Sequence, residues 1–151
     1  MRGYDLYFDD FAVGDQFATP GETITESQII DFAMVWDPQP FHTNLVHERT
    51  KAVGGLIASG FHTVCMTFRQ FLGSGVIAAG NLSSPGMDKL RWHRPVRPGD
   101  TLRVVSKVTA TRASRSKPDR GTVTMDHATL NQDDEVVFTC ECVHMLRRRD
   151  T

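Results

Sequence analysis

The stretch Ile57–Leu72, which reads IASGFHTVCMTFRQFL, decides the fold of this chain. Counted from Phe61, its apolar side chains recur at i, i+3, i+4, i+7, i+10 and i+11, which is the period of a helix and not of a strand. A helix this apolar is expected to be buried along most of its length, so other elements should cover it. The apolar positions are Phe61, Val64, Cys65, Phe68, Phe71 and Leu72.

The beginning of this helix is as informative as its apolar face. Ser59 belongs to the residue types that cap helix N-termini, and Gly60 beside it lets another backbone or a ligand approach closely. N–H groups without partners at a helix start favour a group that carries or develops negative charge. The alternative is an ordinary cap in a tight bend.

Length and composition indicate one globular domain over residues 1–151, with a net charge of -1. This charge argues against nucleic acid as the main partner, because phosphate binding usually leaves a basic footprint. The sequence shows neither a secretory h-region nor an apolar run long enough to cross a membrane, so we expect a cytoplasmic protein without a membrane partner. Its three cysteines suggest neither a disulfide framework nor a zinc site.

The rest of the chain predicts one strand and one helix before the central helix and four strands after it. A capping box, Thr25 with Gln28, opens the first helix, and Asp37-Pro38-Gln39-Pro40 ends it. This order favours an α+β fold in which a curved antiparallel sheet wraps around the central helix. Open sheet edges would favour a dimer. The predicted strands cover residues 16–24, 87–93, 101–111, 122–130 and 135–146.

The loop that follows the first helix is the best candidate for chemistry. Asp37 and His42 lie five residues apart on a backbone that Pro38 and Pro40 stiffen. A general acid or base must be held within hydrogen-bond reach of its proton, so a stiff loop suits this role. An Asp and a His that converge on one water could deprotonate it and later return a proton. Alternatively, Asp37 caps a turn and His42 is a surface or core histidine.

Three motifs give the chain a resemblance to a known family, in which they occur in the same order. They are DFAMVWDPQPFHTN at 31–44, GLIASGFHT at 55–63 and LRWHRPVRPGDTL at 90–102. Together they resemble the MaoC-like hydratases and dehydratases, relatives of the R-specific enoyl-CoA hydratases, which have the hotdog fold. The similarity extends from Phe11 to the last strand.

The resemblance implies specific roles for several residues. Asp37 and His42 would position and activate a water that adds to a 2-enoyl thioester, and the reverse reaction would dehydrate a 3-hydroxyacyl thioester. The N–H of Gly60 would bind the thioester carbonyl oxygen, with Ser59 in support. The substrate would be an acyl-CoA or an acyl-carrier thioester, with coenzyme A as part of the substrate and no metal or other cofactor. A homodimer or a larger homo-oligomer is expected.

The chain departs from the family pattern at a few positions. Gln39 replaces the usual Asn, and Asn44 stands where Asp is common, so both are assigned supporting roles. Trp36 and Phe41 are bulky and would narrow the acyl pocket. Further candidates for substrate binding are Phe61, His62, Arg91 and Arg94.

Basic residues form two further groups in the sequence. Lys89, Arg91, Arg94 and Arg97 could meet the phosphates of coenzyme A, although a solvated strand face is the simpler interpretation of each. The run 147–149 is interpreted as a solvated tail.

Two rival functions stay open, an acyl-CoA thioesterase on the same fold and a non-catalytic acyl-CoA-binding protein.

Overall fold

The computed structural model describes residues 4–150, and residues 1–3 and 151, the ends of the predicted domain, lie outside the described part. A 3₁₀ turn, Phe8–Asp10, precedes the helices and strands. The helices are α1 (Glu26–Trp36), α2 (Pro40–Thr43), α3 (Glu48–Ala52) and α4 (Gly60–Gly73). The strands are β1 (Gln16–Ala18), β2 (Glu22–Thr23), β3 (Asn81–Trp92), β4 (Thr101–Ala113), β5 (Arg120–Leu130) and β6 (Val136–Arg147). Within residues 4–150, no helix has the length and apolar character needed to span a bilayer.

The strands form one antiparallel sheet in the order β1-β4-β5-β6-β3, and β2 pairs with β4 beside this path. Along β4, β5 and β6 most side chains alternate between buried and less buried positions, so one face of the sheet carries the core. Phe71 of α4 is buried in a core cluster with Val108, Val123 and Met125 of the sheet. The predicted α+β architecture, a curved antiparallel sheet with a helix against it, is confirmed.

Two strand predictions differ from the structure near prolines. The strand expected over residues 16–24 is divided into β1 and β2, because Pro20 lacks an N–H group and Gly21 lies tightly against β4. A Cβ added to Gly21 would lie only 2.8 Å from Cγ2 of Thr101. By contrast, β3 begins at Asn81, six residues earlier than expected, and tolerates Pro85 because it is an edge strand with irregular pairing.

Helix α1 begins with the predicted capping box. The N–H of Gln28 donates to Oγ1 of Thr25 at 3.2 Å, and the N–H of Thr25 donates to Oε1 of Gln28 at 2.9 Å. Ile29 and Ala33 are fully buried, but Trp36 at the end of the helix is 72 % exposed. The buried face of α1 is therefore narrow.

The central helix α4 is present as predicted, but it buries a different face. Phe61 is 62 % exposed, Leu72 is 50 % exposed, and Cys65 is exposed as well. The buried residues of α4 are His62, Thr63, Met66, Thr67, Gln70 and Phe71. The predicted burial is therefore wrong for Phe61, Cys65 and Leu72 in the single chain, whereas Val64 and Phe68 are partly buried against the core. We call Phe61, Val64, Cys65, Phe68 and Leu72 the apolar stripe of α4.

The basic residues near the end of β6 are paired, in contrast to the predicted solvated tail. Arg148 bonds to Asp9 at 2.9 Å, and Arg149 bonds to Asp10 at 2.9 Å and to Asp5 at 3.2 Å. These exposed ion pairs join the last residues of the described chain to its first ones.

Candidate active site

The carboxylate of Asp37 lies at the end of α1, where two side chains donate to it and a third lies close by. The hydroxyl of Ser59 donates to Oδ2 at 2.7 Å, and the amide of Gln39 donates to Oδ1 at 2.7 Å. Nε2 of His42 lies 3.3 Å from Oδ2. Burial alone would raise the pKa of Asp37, but the hydrogen bonds from Ser59 and Gln39 and the nearby imidazole outweigh it and hold the pKa below its ordinary value.

The imidazole of His42 is buried and has a defined orientation. Its Nδ1 lies 2.7 Å from the carbonyl oxygen of Ile57. Because a carbonyl oxygen only accepts hydrogen bonds, Nδ1 carries the proton of this contact. In a neutral ring Nε2 then has a free lone pair, and this atom is the one that faces the carboxylate of Asp37. The two groups therefore present a base and an anion to the same point.

Backbone and hydroxyl hydrogen bonds hold the loop that carries these groups. The N–H of Ile57 donates to the carbonyl of Phe41 at 3.0 Å, beside the contact made by His42. The fully buried hydroxyl of Thr50 lies 2.7 Å from the carbonyl of Asn44 and 3.0 Å from that of Pro40. The loop is thus fixed from two sides, as acid–base chemistry requires.

The start of α4 presents an unpaired N–H group beside this pair. Ser59 is the N-cap as predicted, since its Oγ accepts from the N–H of Phe61 at 3.2 Å while its proton points to Asp37. The N–H of Thr63 is bonded to the carbonyl of Ser59 at 3.1 Å. Among the hydrogen bonds of residues 4–150, none uses the N–H of Gly60. This donor, at the positive end of the helix, is available to an oxygen that develops charge.

A cavity of about 290 Å³ brings His42 and Gly60 to one surface. Arg94, which was predicted to bind substrate, also lines it, and its guanidinium pairs with Glu135 at 2.9 Å. The complete lining is His42, Ile57, Ala58, Gly60, Thr63, Trp92, His93, Arg94, Pro95 and Val96.

The other predicted site residues, Asp37 and Ser59 among them, lie outside the lining of this cavity in the described chain. Trp36 and Phe61 are mostly exposed, and the guanidinium of Arg91 donates to the carbonyl of its neighbour Leu90. His62 faces α1, where its ring stacks on Phe32 with centroids 4.4 Å apart. Burial lowers the pKa of His62.

Three predicted residues of the loop differ in their contacts. Gln39 binds Asp37 directly, and the ring of Phe41 stands edge-on to the imidazole of His42 with centroids 4.6 Å apart. Oδ1 of Asn44 instead accepts from the N–H of Val46 at 3.0 Å. Asn44 therefore shapes the turn after α2.

The other cations of the basic run are also bound to protein groups. Lys89 pairs with Glu141 at 3.1 Å, and Arg97 donates to the carbonyl of Val53. These contacts favour a structural role for the cations over contact with phosphates, although the cations are bound to protein groups and not only solvated as predicted.

Sequence reasoning did not identify Thr63, Ile57 and Trp92 as parts of the site. The contribution of Ile57 is its backbone, which no side-chain pattern reveals. Trp92 stands inside the third motif, LRWHRPVRPGDTL, so its position in that motif was the available signal. Its indole N–H donates to the carbonyl of Gly60 at 3.0 Å.

A second cluster of titratable groups lies further along α4, against Phe71. Ligand atoms of His127, Cys142 and His144 lie within 4.8 Å of one another, and all three residues are buried. The imidazoles are already hydrogen-bonded, with Ser106 Oγ 2.7 Å from Nδ1 of His127 and the two Nε2 atoms 3.2 Å apart. Burial lowers the pKa of His127 to about 3 and that of His144 to about 4. The pair is therefore neutral near pH 7 and is part of the core.

Comparisons with known proteins give consistent results. The family model described as "MaoC like domain" matches residues 10–131. The uncharacterized protein YdeM of Bacillus subtilis is 26 % identical over 143 residues, which cover 95 % of this chain and 100 % of that protein. The crystal structure of a MaoC-like dehydratase from Rhodospirillum rubrum has a TM-score of 0.89 and 40 % identity and covers 97 % of this chain and 99 % of that chain. R-hydratase PhaJ1 of Pseudomonas aeruginosa shares the fold, with a TM-score of 0.70, 24 % identity and coverage of 96 % and 88 %.

Proposed function

The chain belongs to the family of MaoC-like domains, and on this premise we propose that it is a hydro-lyase acting on acyl thioesters. It would add water to the double bond of a 2-enoyl thioester, or remove water from a 3-hydroxyacyl thioester. One observation carries the proposal. The carboxylate of Asp37 and Nε2 of His42 converge 3.3 Å apart, beside a helix start whose Gly60 N–H is unpaired within residues 4–150.

The first part of the mechanism is activation of water. Nε2 of His42 and Oδ2 of Asp37 are both acceptors, so one water can donate a hydrogen bond to each. Its oxygen lone pairs then face away from both groups and toward the substrate. His42 removes a proton as the water oxygen bonds to Cβ, and the π electrons of the double bond move toward the thioester. The low pKa of Asp37 keeps its carboxylate ionised, which stabilises the imidazolium that forms.

The second part is stabilisation of the enolate. Negative charge develops on the thioester oxygen, and the N–H of Gly60 can donate to it at the positive end of α4. Loss of one such donor typically costs about 3 kcal/mol of barrier. The proton taken from the water is then delivered to Cα, which restores the thioester and the neutral base. No atom is gained or lost beyond the added water.

Coenzyme A or an acyl carrier would hold the acyl group, and we propose that the working form is a homodimer. The edge strand β3 is bonded to β6 on one side and carries mostly exposed residues. Part of the apolar stripe of α4 is also left uncovered by its own chain, with Cys65 exposed and Phe61 and Leu72 at least half exposed. A second copy that covers both would bury apolar surface close to the site.

The test of the reaction is absorbance of the enoyl thioester on mixing the protein with crotonyl-CoA and a panel of other 2-enoyl-CoAs. We expect the absorbance to fall while the thioester stays intact, as checked with a thiol reagent. Release of free thiol would instead identify a thioesterase. If neither signal changed for any thioester while calorimetry showed binding, the protein would be an acyl-CoA-binding protein and the proposal would be wrong.

Variants of the acid–base pair test the residue roles. Asp37→Asn and His42→Ala should each lower kcat by at least about 100-fold, because each removes a group that handles the proton. The matched control is Asp31→Asn, which makes the same change at an exposed position of α1 and should keep native activity. Near-native turnover by either site variant would refute the assignment.

A further inference from the structure

Trp92 and Gly60 are in close contact in the lining of the cavity. A Cβ added to Gly60 would lie 2.8 Å from Nε1 and 2.9 Å from Cε2 of Trp92, which is closer than real Cβ contacts. The indole N–H donates to the carbonyl of Gly60 at 3.0 Å. The ring is thus in direct contact with the first residue of α4, and only a glycine fits beneath it.

The sheet holds Trp92 in this position. It is the last residue of β3, pairs with Phe138 of β6, and has its ring centroid 5.8 Å from that of Phe138, which is fully buried. Immediately after it, the N–H of His93 donates to the carbonyl of Val137 at 2.8 Å. The indole therefore fixes the start of α4 relative to the sheet.

From this geometry we propose that Trp92 is a positioning residue for the N–H of Gly60. The hydrogen bond from the indole fixes the carbonyl of Gly60, and the ring fixes its Cα, so the direction of the N–H relative to His42 is set. The ring also leaves no room for a side chain at position 60, where a side chain would crowd the approaching thioester oxygen. This inference rests on the proposed function, in which that oxygen binds to Gly60.

The first experiment measures the contact without reference to activity. Urea unfolding is compared for the wild type, Gly60→Ala, Trp92→Leu and the double variant. Alanine is a better helix former than glycine, so Gly60→Ala should raise the urea midpoint once the ring is gone. With Trp92 present, the same change should lower the midpoint because Cβ meets the indole. An equal shift in both backgrounds would overturn the proposed contact.

The second experiment separates positioning from packing. Trp92→Phe keeps an aromatic ring to pack against Phe138 but lacks the N–H donor. Its kcat for a 2-enoyl-CoA should fall by about 10-fold, with KM changed less than twofold, because a displaced donor lowers the rate of a bound substrate. The acid limb of its pH profile should be unchanged, since Asp37 and His42 are not touched.

The two possible failures have different signatures. A wild type that hydrates no 2-enoyl-CoA would refute the proposed function, whatever the urea midpoints show. A wild type that hydrates its substrate, together with a Trp92→Phe variant of native kcat, would refute the positioning role alone.

Discussion

His127 and His144 should make the stability of this fold depend on pH well above the range in which carboxylates titrate. Both imidazoles are at least 97 % buried, and burial lowers their pKa values from 6.5 to about 3 and about 4. In the unfolded chain each should regain a pKa near 6.5. Below that pH the unfolded state binds protons that the native state does not bind, so the free energy of unfolding falls as pH decreases. It levels off only when the pH approaches the native pKa values of the two histidines.

The size of the effect follows from these pKa values. Between pH 7 and pH 5, each histidine should cost about 2 kcal/mol of stability, and the two together about 4 kcal/mol. Since a domain is typically stable by only about 5–15 kcal/mol, the loss should be large enough to measure easily. The assay is urea unfolding at a series of pH values from 7 to 5, a window in which few carboxylates take up protons.

The decisive comparison is between two variants. His144→Gln removes one buried imidazole, so its loss of stability between pH 7 and pH 5 should be about 2 kcal/mol smaller than that of the wild type. Val123→Ala, directly opposite His144 on β5, removes buried methyl groups and should lower stability equally at every pH. If His144→Gln kept the full dependence on pH, the assignment of that dependence to the buried pair would be refuted.

Two further variants test the site and the oligomer. Ser59→Ala should lower the free energy of unfolding by about 1 kcal/mol, because the helix cap is lost. It should also move the acid limb of the kcat/KM profile to higher pH, because the carboxylate of Asp37 loses a hydrogen bond that lowers its pKa. An acid limb that did not move would contradict this coupling. Leu72→Glu, in the apolar stripe, should convert a dimer to monomers in light scattering at micromolar concentration, whereas Val13→Glu, at a 64 % exposed position of a turn, should not. A dimer that persisted in Leu72→Glu would exclude the stripe as its interface.

Local signals in the sequence predicted local structure well. The capping box and the prolines after Trp36 act within a few residues of themselves, so α1 begins and ends as expected. The strands β4, β5 and β6 likewise begin and end within two residues of their predicted bounds. The loop with Asp37 and His42 could also be singled out, because both residues and the prolines between them lie within six positions.

The face of α4 could not be predicted, because periodicity finds an apolar stripe without showing what covers it. The buried side of the helix is acceptable to the core because most of its polar groups are bonded. Thr67 Oγ1 lies 2.8 Å from the carbonyl of Thr63 and 2.6 Å from Oγ1 of Thr129, and Oε1 of Gln70 accepts from Thr19 at 3.0 Å. Such satisfied groups cost little when they are buried, whereas Nε2 of Gln70 and Nδ1 of His62 have no partner among the described residues.

The contacts that complete the site were also beyond sequence reasoning. Ser59 reaches Asp37 across 22 residues, and Trp92 reaches Gly60 across 32. Neither separation follows a helix or strand period, so only the tertiary structure brings these pairs together.

The position of β6 in the sheet has a consequence for biosynthesis. In the described sheet β6 lies between β5 and β3, so β3 has no neighbour there until residues 136–147 have left the ribosome. Until then, the strand that ends in Trp92 is an open edge that other nascent chains could join. A ribosome stalled just before Val136 should therefore hold a chain whose α4 can form while the wall of the cavity is still absent. Release of β6 from the ribosome would complete the described sheet and the site in one step.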